Sequence, residues 1–131
     1  GENIREWTHV EDSSKAILKT SLSNKKFFNI NIGSGKKVSN IKIARIIFGI
    51  MKKRKLTKLT NQNFLKMVKD RPGHDVRYAL NTNLFKNKIN YQFKKDLKSG
   101  LNETISWYIS NNKWLKSCLK KYKYNRLGLI D

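Results

Sequence analysis

The chain is short of cysteine, proline, histidine and, against its many bases, acid. A lone cysteine, Cys118, excludes an internal disulfide and any sulfur-rich cluster, a usage that suits a reducing cytoplasm. The two histidines, His9 and His74, are far apart with no cysteine nearby, so no metal-ligand spacing exists and no metal is expected. No run approaches the roughly 20 apolar residues of a membrane-crossing helix, so no membrane association is expected. The opening Gly1-Glu2-Asn3-Ile4-Arg5 lacks the basic-then-apolar order of a secretory signal and has no initiating methionine; the chain reads as starting within a longer protein or as trimmed. What remains is one domain's worth of material, without internal repeats and able to bury a modest core.

Only nine acidic residues face 29 lysines and arginines, giving a net charge of +20. Such a charge either attracts a polyanion (nucleic acid, an anionic membrane, a phosphorylated ligand) or reflects compositional drift. Lysine far outnumbers arginine, and Lys, Asn and Ile dominate together, as a coding bias toward A and T produces. The lysines are spread along the chain and form no single tract, which favours drift; no nucleic-acid partner is expected.

Residues 4–10 carry the aromatic and β-branched content of a short strand. Glu11-Asp12-Ser13-Ser14 supplies first-turn carboxylates and capping side chains for a helix to about Leu22. Residues 27–32 predict a second strand covered on both faces, followed by a loop at Gly33–Lys37. Ser39 suits the N-cap of a helix in which Ile41, Ala44, Ile47, Phe48 and Met51 recur at helical spacing. A polar linker follows at 56–63, then a third strand at 64–68 and a short one at 77–80. Asn81 or Thr82 caps a brief helix near 84–89, and a longer helix runs from about Asp96 to Ser110. Gly100 inside that helix costs about 1 kcal/mol relative to alanine and points to a close approach of backbone. From Lys113 the chain reads as a loosely ordered basic and aromatic tail, so residues 1–112 are expected to form one lobe and 113–131 its appendage. The whole predicts a small α/β unit.

Arg71-Pro72-Gly73-His74 holds the only proline. Proline at the second position and glycine at the third is what a type II turn requires, and it brings the first and fourth residues within about 7 Å. A guanidinium beside an imidazole on such a corner suits a diphosphate; a plain surface turn with incidental charge fits the tetrapeptide equally well. Gly33-Ser34-Gly35 invites a dinucleotide-binding reading, but Val38 stands where the third glycine belongs, and a tight turn is the better account. Asn40, at the helix start, still lies where free amides and the helix dipole favour an anion. Tyr91-x-x-x-Lys95 has the spacing of a catalytic Tyr/Lys pair, yet sits in no long, well-patterned helix, and a chain this rich in lysine yields one such match by chance. The Lys/Trp/Tyr alternation of 113–126 suits nucleic-acid stacking, though a terminal segment using Trp114 and Leu115 to cap the core explains it better.

Taken together, Ile4-Arg5-Glu6-Trp7 with Val10-Glu11-Asp12, Asn29 to Gly33, Val68-Lys69-Asp70-Arg71-Pro72-Gly73-His74-Asp75 with Arg77-Tyr78-Ala79, and Gly100-Leu101 through Thr104, Trp107-Tyr108 and Trp114 resemble the dTDP-glucose 4,6-dehydratases of the extended short-chain dehydrogenase/reductase group. The Asp-Arg-Pro-Gly-His-Asp-x-Arg-Tyr-Ala string is the most specific piece. The resemblance implies the small C-terminal substrate-binding lobe of such an enzyme, its N-terminal Rossmann domain not included. It also implies that Arg5, Asn40, Asp70, Arg71, Pro72, Gly73 and His74 contact the nucleotide and diphosphate of the substrate, dTDP-glucose.

The family's reaction is an internal redox cycle. NAD takes hydride from C4 of the glucose, water leaves across C5 and C6, and hydride returns to C6. The glycine-rich fingerprint, the Tyr/Lys pair and the Asp-Glu acid/base pair for this lie in the N-terminal lobe, so this chain is expected to carry no catalytic and no cofactor-binding residues; the complete enzyme is expected to be a homodimer. Three stretches depart from the pattern: Ser13 replaces a common His, Asn90-Tyr91-Gln92-Phe93 replaces Gly-Trp-x-Pro, and the Gly33 loop is Lys-rich. Two other readings stand beside this one: a piece of another NAD-dependent nucleotide-sugar epimerase, dehydratase or decarboxylase, which the Arg-Pro-Gly-His string disfavours, and a basic nucleic-acid-binding module.

Overall fold

Ile4–Glu6 forms strand β1, and Lys37–Ser39 forms β2, paired antiparallel with Arg5 opposite Val38. The computed structural model behind this description covers every residue except Lys25, Phe27, Phe28, Lys69, Arg71 and 123–131. Five helices complete it: α1 (Val10–Ser21), α2 (Asn40–Lys53), α3 (Asn83–Lys88), α4 (Leu97–Ser110) and α5 (Asn112–Tyr122). A small sheet edged by helices is the α/β lobe expected, and no helix among the described residues is long and apolar enough to cross a membrane.

The strands are where sequence and structure part. β1 is shorter than the expected 4–10, because Val10 already opens α1. Residues 29–32, the described part of the expected second strand, are not a strand; they make no backbone ladder among the described residues, though Ile30 and Ile32 pack on the core. A strand needs a partner for its amides and carbonyls, and among the described residues no backbone ladder forms there. The strand instead forms at 37–39, expected to be loop and cap, because β1 offers it a ladder. Residues 64–68 are not a strand either, and of 77–80 only Arg77 makes a bridge, parallel to Ile4.

The helices follow the sequence more closely. Asp96 caps α4 by accepting from the amides of Lys98 and Ser99. The hydroxyl and amide of Ser99 hold its carboxyl below the ordinary value against some burial. Ser39 stands at the N-cap of α2 as expected but makes no side-chain cap bond. Ser13 likewise caps nothing and instead shares a 2.8 Å hydrogen bond with Thr8. Gly100 is buried, and a Cβ there would stand 3.3 Å from Cδ2 of His9, so the close approach is by a side chain and not by backbone.

Residues 112–122 are helical, not a loose tail. Trp114 of α5 packs against Trp107 and Tyr108 of α4, ring centroids 5.1 and 6.3 Å apart. The principal core joins Ala16 of α1 to Phe85 of α3 and to Ile89 just beyond its end, with Tyr91 and Phe93 against it. The departure at 90–93 therefore rebuilds the core with aromatic edges: Tyr91 and Phe93 lie 6.3 and 6.1 Å from Phe85.

Candidate functional site

β1, the 70–75 turn and the start of α2 converge because their backbones are tied together. Ile4 donates to the carbonyl of Val76 at 2.8 Å and accepts from Tyr78 at 3.1 Å, which lays the segment after the turn alongside β1. Asn40 and Ile41 donate to the carbonyls of Asn3 and Gly1, at 3.0 and 2.9 Å. Those bonds anchor α2 against β1, and they also correct the expectation of free amides at this helix start: the first two are already satisfied.

Of the expected turn, Pro72 to His74 are described. Gly73 has φ +67°, the left-handed value that glycine tolerates at the third position of a type II turn. Across it, Nδ1 of His74 lies 2.6 Å from Oδ1 of Asp70. Asn3, which the motif analysis passed over, joins the same group. Its amide donates to Oδ2 of Asp70 at 3.4 Å and to the carbonyl of Asp75 at 3.2 Å, and lies 3.5 Å from Nδ1 of His74. The available signal was its place two residues before Arg5, on the same face of an extended segment.

Of the expected contact residues, Asn40, Asp70 and His74 line one cleft of about 290 Å³, together with Asn3 and the apolar side chains of Ala44 and Leu65. Arg5, Pro72 and Gly73 are not among its lining. Arg5 meets the turn from outside the cleft: its guanidinium donates to the Asp75 carbonyl at 2.9 Å and to its neighbour Ile4 at 2.7 Å. Pro72 and Gly73 form the exposed corner. Arg71 lies outside the described residues. The cleft thus offers amides, an imidazole and a carboxylate on a hydrogen-bonded frame, beside an apolar wall.

Two other groups bear on chemistry. Tyr91 donates to Oδ1 of the buried Asp12 at 2.9 Å, and the amide of Lys95 donates to Oδ2 at 2.8 Å. Burial raises the Asp12 carboxyl, but these hydrogen bonds outweigh it and hold it below its ordinary range. Burial, and then the Asp12 carboxylate, push the Tyr91 hydroxyl up to about 12. A tyrosine base needs the opposite shift and a lysine beside its oxygen, whereas the Lys95 ammonium pairs with Glu103 at 2.6 Å. The second group is the Gly33–Gly35 loop, where the Gly35 amide donates to Oε1 of Glu6 at 2.6 Å and the Glu6 carboxylate packs against Gly33. A carboxylate from β1 thus fills the turn that the dinucleotide-binding reading would give to a phosphate.

No protein-family profile matches the chain. Curated proteins do. A dTDP-glucose 4,6-dehydratase of Escherichia coli is 31% identical over all of this chain and 38% of its own length. One of Neisseria meningitidis serogroup B is 29% identical over 98% of this chain, again covering 38% of that protein. Among solved structures, the Bacillus anthracis dTDP-glucose 4,6-dehydratase in complex with NAD superposes with a TM-score of 0.72 at 30% identity, over 86% of this chain and 33% of that one. The chain therefore spans little more than a third of the curated relatives it matches. Along its length and in its fold, this chain is a relative of the C-terminal part of the dTDP-glucose 4,6-dehydratases.

Proposed function

We propose that the chain is the substrate-holding portion of a dTDP-glucose 4,6-dehydratase, a lyase converting dTDP-glucose to dTDP-4-keto-6-deoxyglucose in nucleotide-sugar metabolism. The observation that carries this reading is the convergence of Asn3, Asn40, Asp70 and His74 on one cleft at the Asp-Arg-Pro-Gly-His-Asp segment. In this reading Asn40 and His74 donate to the nucleotide and its diphosphate. Asp70 orients the imidazole, Pro72 and Gly73 fix the corner, and Arg71 and Arg5 supply positive charge to it. NAD, when bound to the complete enzyme, supplies the hydride transfer; its seat and the acid, base and tyrosine groups belong to sequence this chain does not include. The chain alone is then without turnover, its compartment is the cytoplasm, and the complete enzyme is a homodimer.

Calorimetric titration of the chain with dTDP-glucose and with dTDP tests this. Weak saturable binding that His74→Ala and Asn40→Ala both reduce supports the site; binding unaffected by either variant removes it. Turnover of dTDP-glucose by this polypeptide with NAD would overturn the inactive reading. A substrate panel on a complete enzyme carrying this lobe separates dehydratase from epimerase or decarboxylase.

A further inference from the structure

A second cleft, sharing no residue with the first, runs between α2 and α4. Its α2 wall is the stripe Arg45, Gly49, Lys53, each one turn from the next, with Arg54 beside it. Its α4 wall presents Lys98, Asn102 and Ser106, again one turn apart. Arg54 is held in the cleft, donating to Oγ of Ser106 at 3.0 Å and to Oδ1 of Asn102 at 3.4 Å. None of the four cations makes an ion pair with a carboxylate among the described residues. The single acid on the lining, Asp96, is committed to the amides of Lys98 and Ser99.

Gly49 gives the independent pointer. It sits inside an α-helix, where glycine costs about 1 kcal/mol relative to alanine, and a Cβ built there meets nothing within 4 Å. No contact within the described structure explains the missing side chain, and its absence leaves the backbone of the α2 wall open between Arg45 and Lys53. Those two residues are eight apart, about 12 Å along the helix, more than one phosphate spans. Among the described residues, no aromatic side chain lines the cleft to stack a base.

We propose that the α2–α4 groove binds a chain of linked phosphates, read through its charges and not through any base. Arg54 meets it with a preset guanidinium, Arg45, Lys53 and Lys98 neutralise successive phosphoryl groups, and Gly49 lets the chain approach the helix. The groove is separate from the nucleotide-sugar cleft, so the two proposals stand or fall independently.

The test is titration of the 131-residue chain with inorganic tripolyphosphate, followed by amide NMR. The expected result is saturable shifts centred on Gly49 and Ser99 that orthophosphate at equal concentration does not reproduce. Arg45→Ala combined with Lys53→Ala and Lys98→Ala weakens binding by about tenfold or more. Lys15→Ala with Lys58→Ala and Lys116→Ala, which removes the same charge elsewhere, weakens it by less than about twofold. Gly49→Leu fills the open wall and weakens binding without changing charge. Parallel titrations with long inorganic polyphosphate and with an unstructured single-stranded oligonucleotide identify the source, by whichever binds more tightly. Equal weakening by the two triple variants, shifts scattered over the surface, or equal binding of orthophosphate overturns the proposal.

Discussion

Asp70 and His74 face each other across the Pro72–Gly73 corner with Oδ1 and Nδ1 2.6 Å apart, where Gly73 takes φ +67°. Alanine pays about 1–2 kcal/mol in that region. Gly73→Ala is therefore expected to lower the urea midpoint by a corresponding amount and to weaken dTDP-glucose binding, because the turn's two ends no longer meet. Unchanged binding with reduced stability would separate the corner from the ligand.

Asp12 and Tyr91 define opposite ends of the pH profile. The Asp12 carboxyl is depressed below 3.8, so its contribution to stability is present above the unfolded value and fades as pH falls through the folded one. Asp12→Asn should flatten that acid limb while costing about 1–3 kcal/mol at neutral pH, since the Lys95 amide and the Tyr91 hydroxyl lose a charged acceptor.

Tyr91 is raised from 10.0 to about 12, so its contribution is complete below the unfolded value and is lost as pH climbs through that window. Between those two pH values the parent chain should lose stability that Tyr91→Phe does not lose. Paired urea melts in that window measure the difference.

The two helical glycines predict opposite responses to one substitution. Gly49→Ala meets nothing within 4 Å and should stabilise by about 1 kcal/mol from helix propensity. Gly100→Ala places its methyl 3.3 Å from Cδ2 of His9, a ring held between α4 and the start of α1, so the same gain should be cancelled or reversed. Thermal melts of the two variants decide it.

Trp114→Ala removes the α5 partner of Trp107 and Tyr108. Aromatic pairs contribute about 0.5–1.5 kcal/mol beyond area, and Trp114 is half exposed, so a loss of about 1–2 kcal/mol is expected. A chain ending at Asn112 should show a similar loss while still unfolding cooperatively, if residues 1–112 are the lobe and the remainder its appendage.

Helices α1 to α4 were legible because their signals are local, whereas the α5 segment reads as a loose tail. The helical recurrence of Ile41, Ala44, Ile47, Phe48 and Met51 marks α2, although its two buried residues are Ile43 and Ile50; Asp96 caps α4 with its own side chain, and proline followed by glycine marks the corner at Pro72 and Gly73. The family string could be read for the same reason. The strands were not legible. β2 is three residues, Lys37-Val38-Ser39, with no alternation to mark it, and it exists because β1 offers a ladder; the 29–32 segment alternates Asn with Ile as a strand does, yet forms no backbone ladder among the described residues.

The sequence by itself determined the first four helices, the proline–glycine turn, the charge and the likeness to dehydratases, since each signal is carried by residues within a few positions of one another. Only the tertiary structure decided that Asn3 would join Asp70 and His74, that Arg5 would spend its guanidinium on the Asp75 carbonyl, and that Asp12 would hold Tyr91 and the Lys95 amide. Those partners are about 70 or more residues apart, and no local pattern encodes which buried acceptor a distant donor will reach.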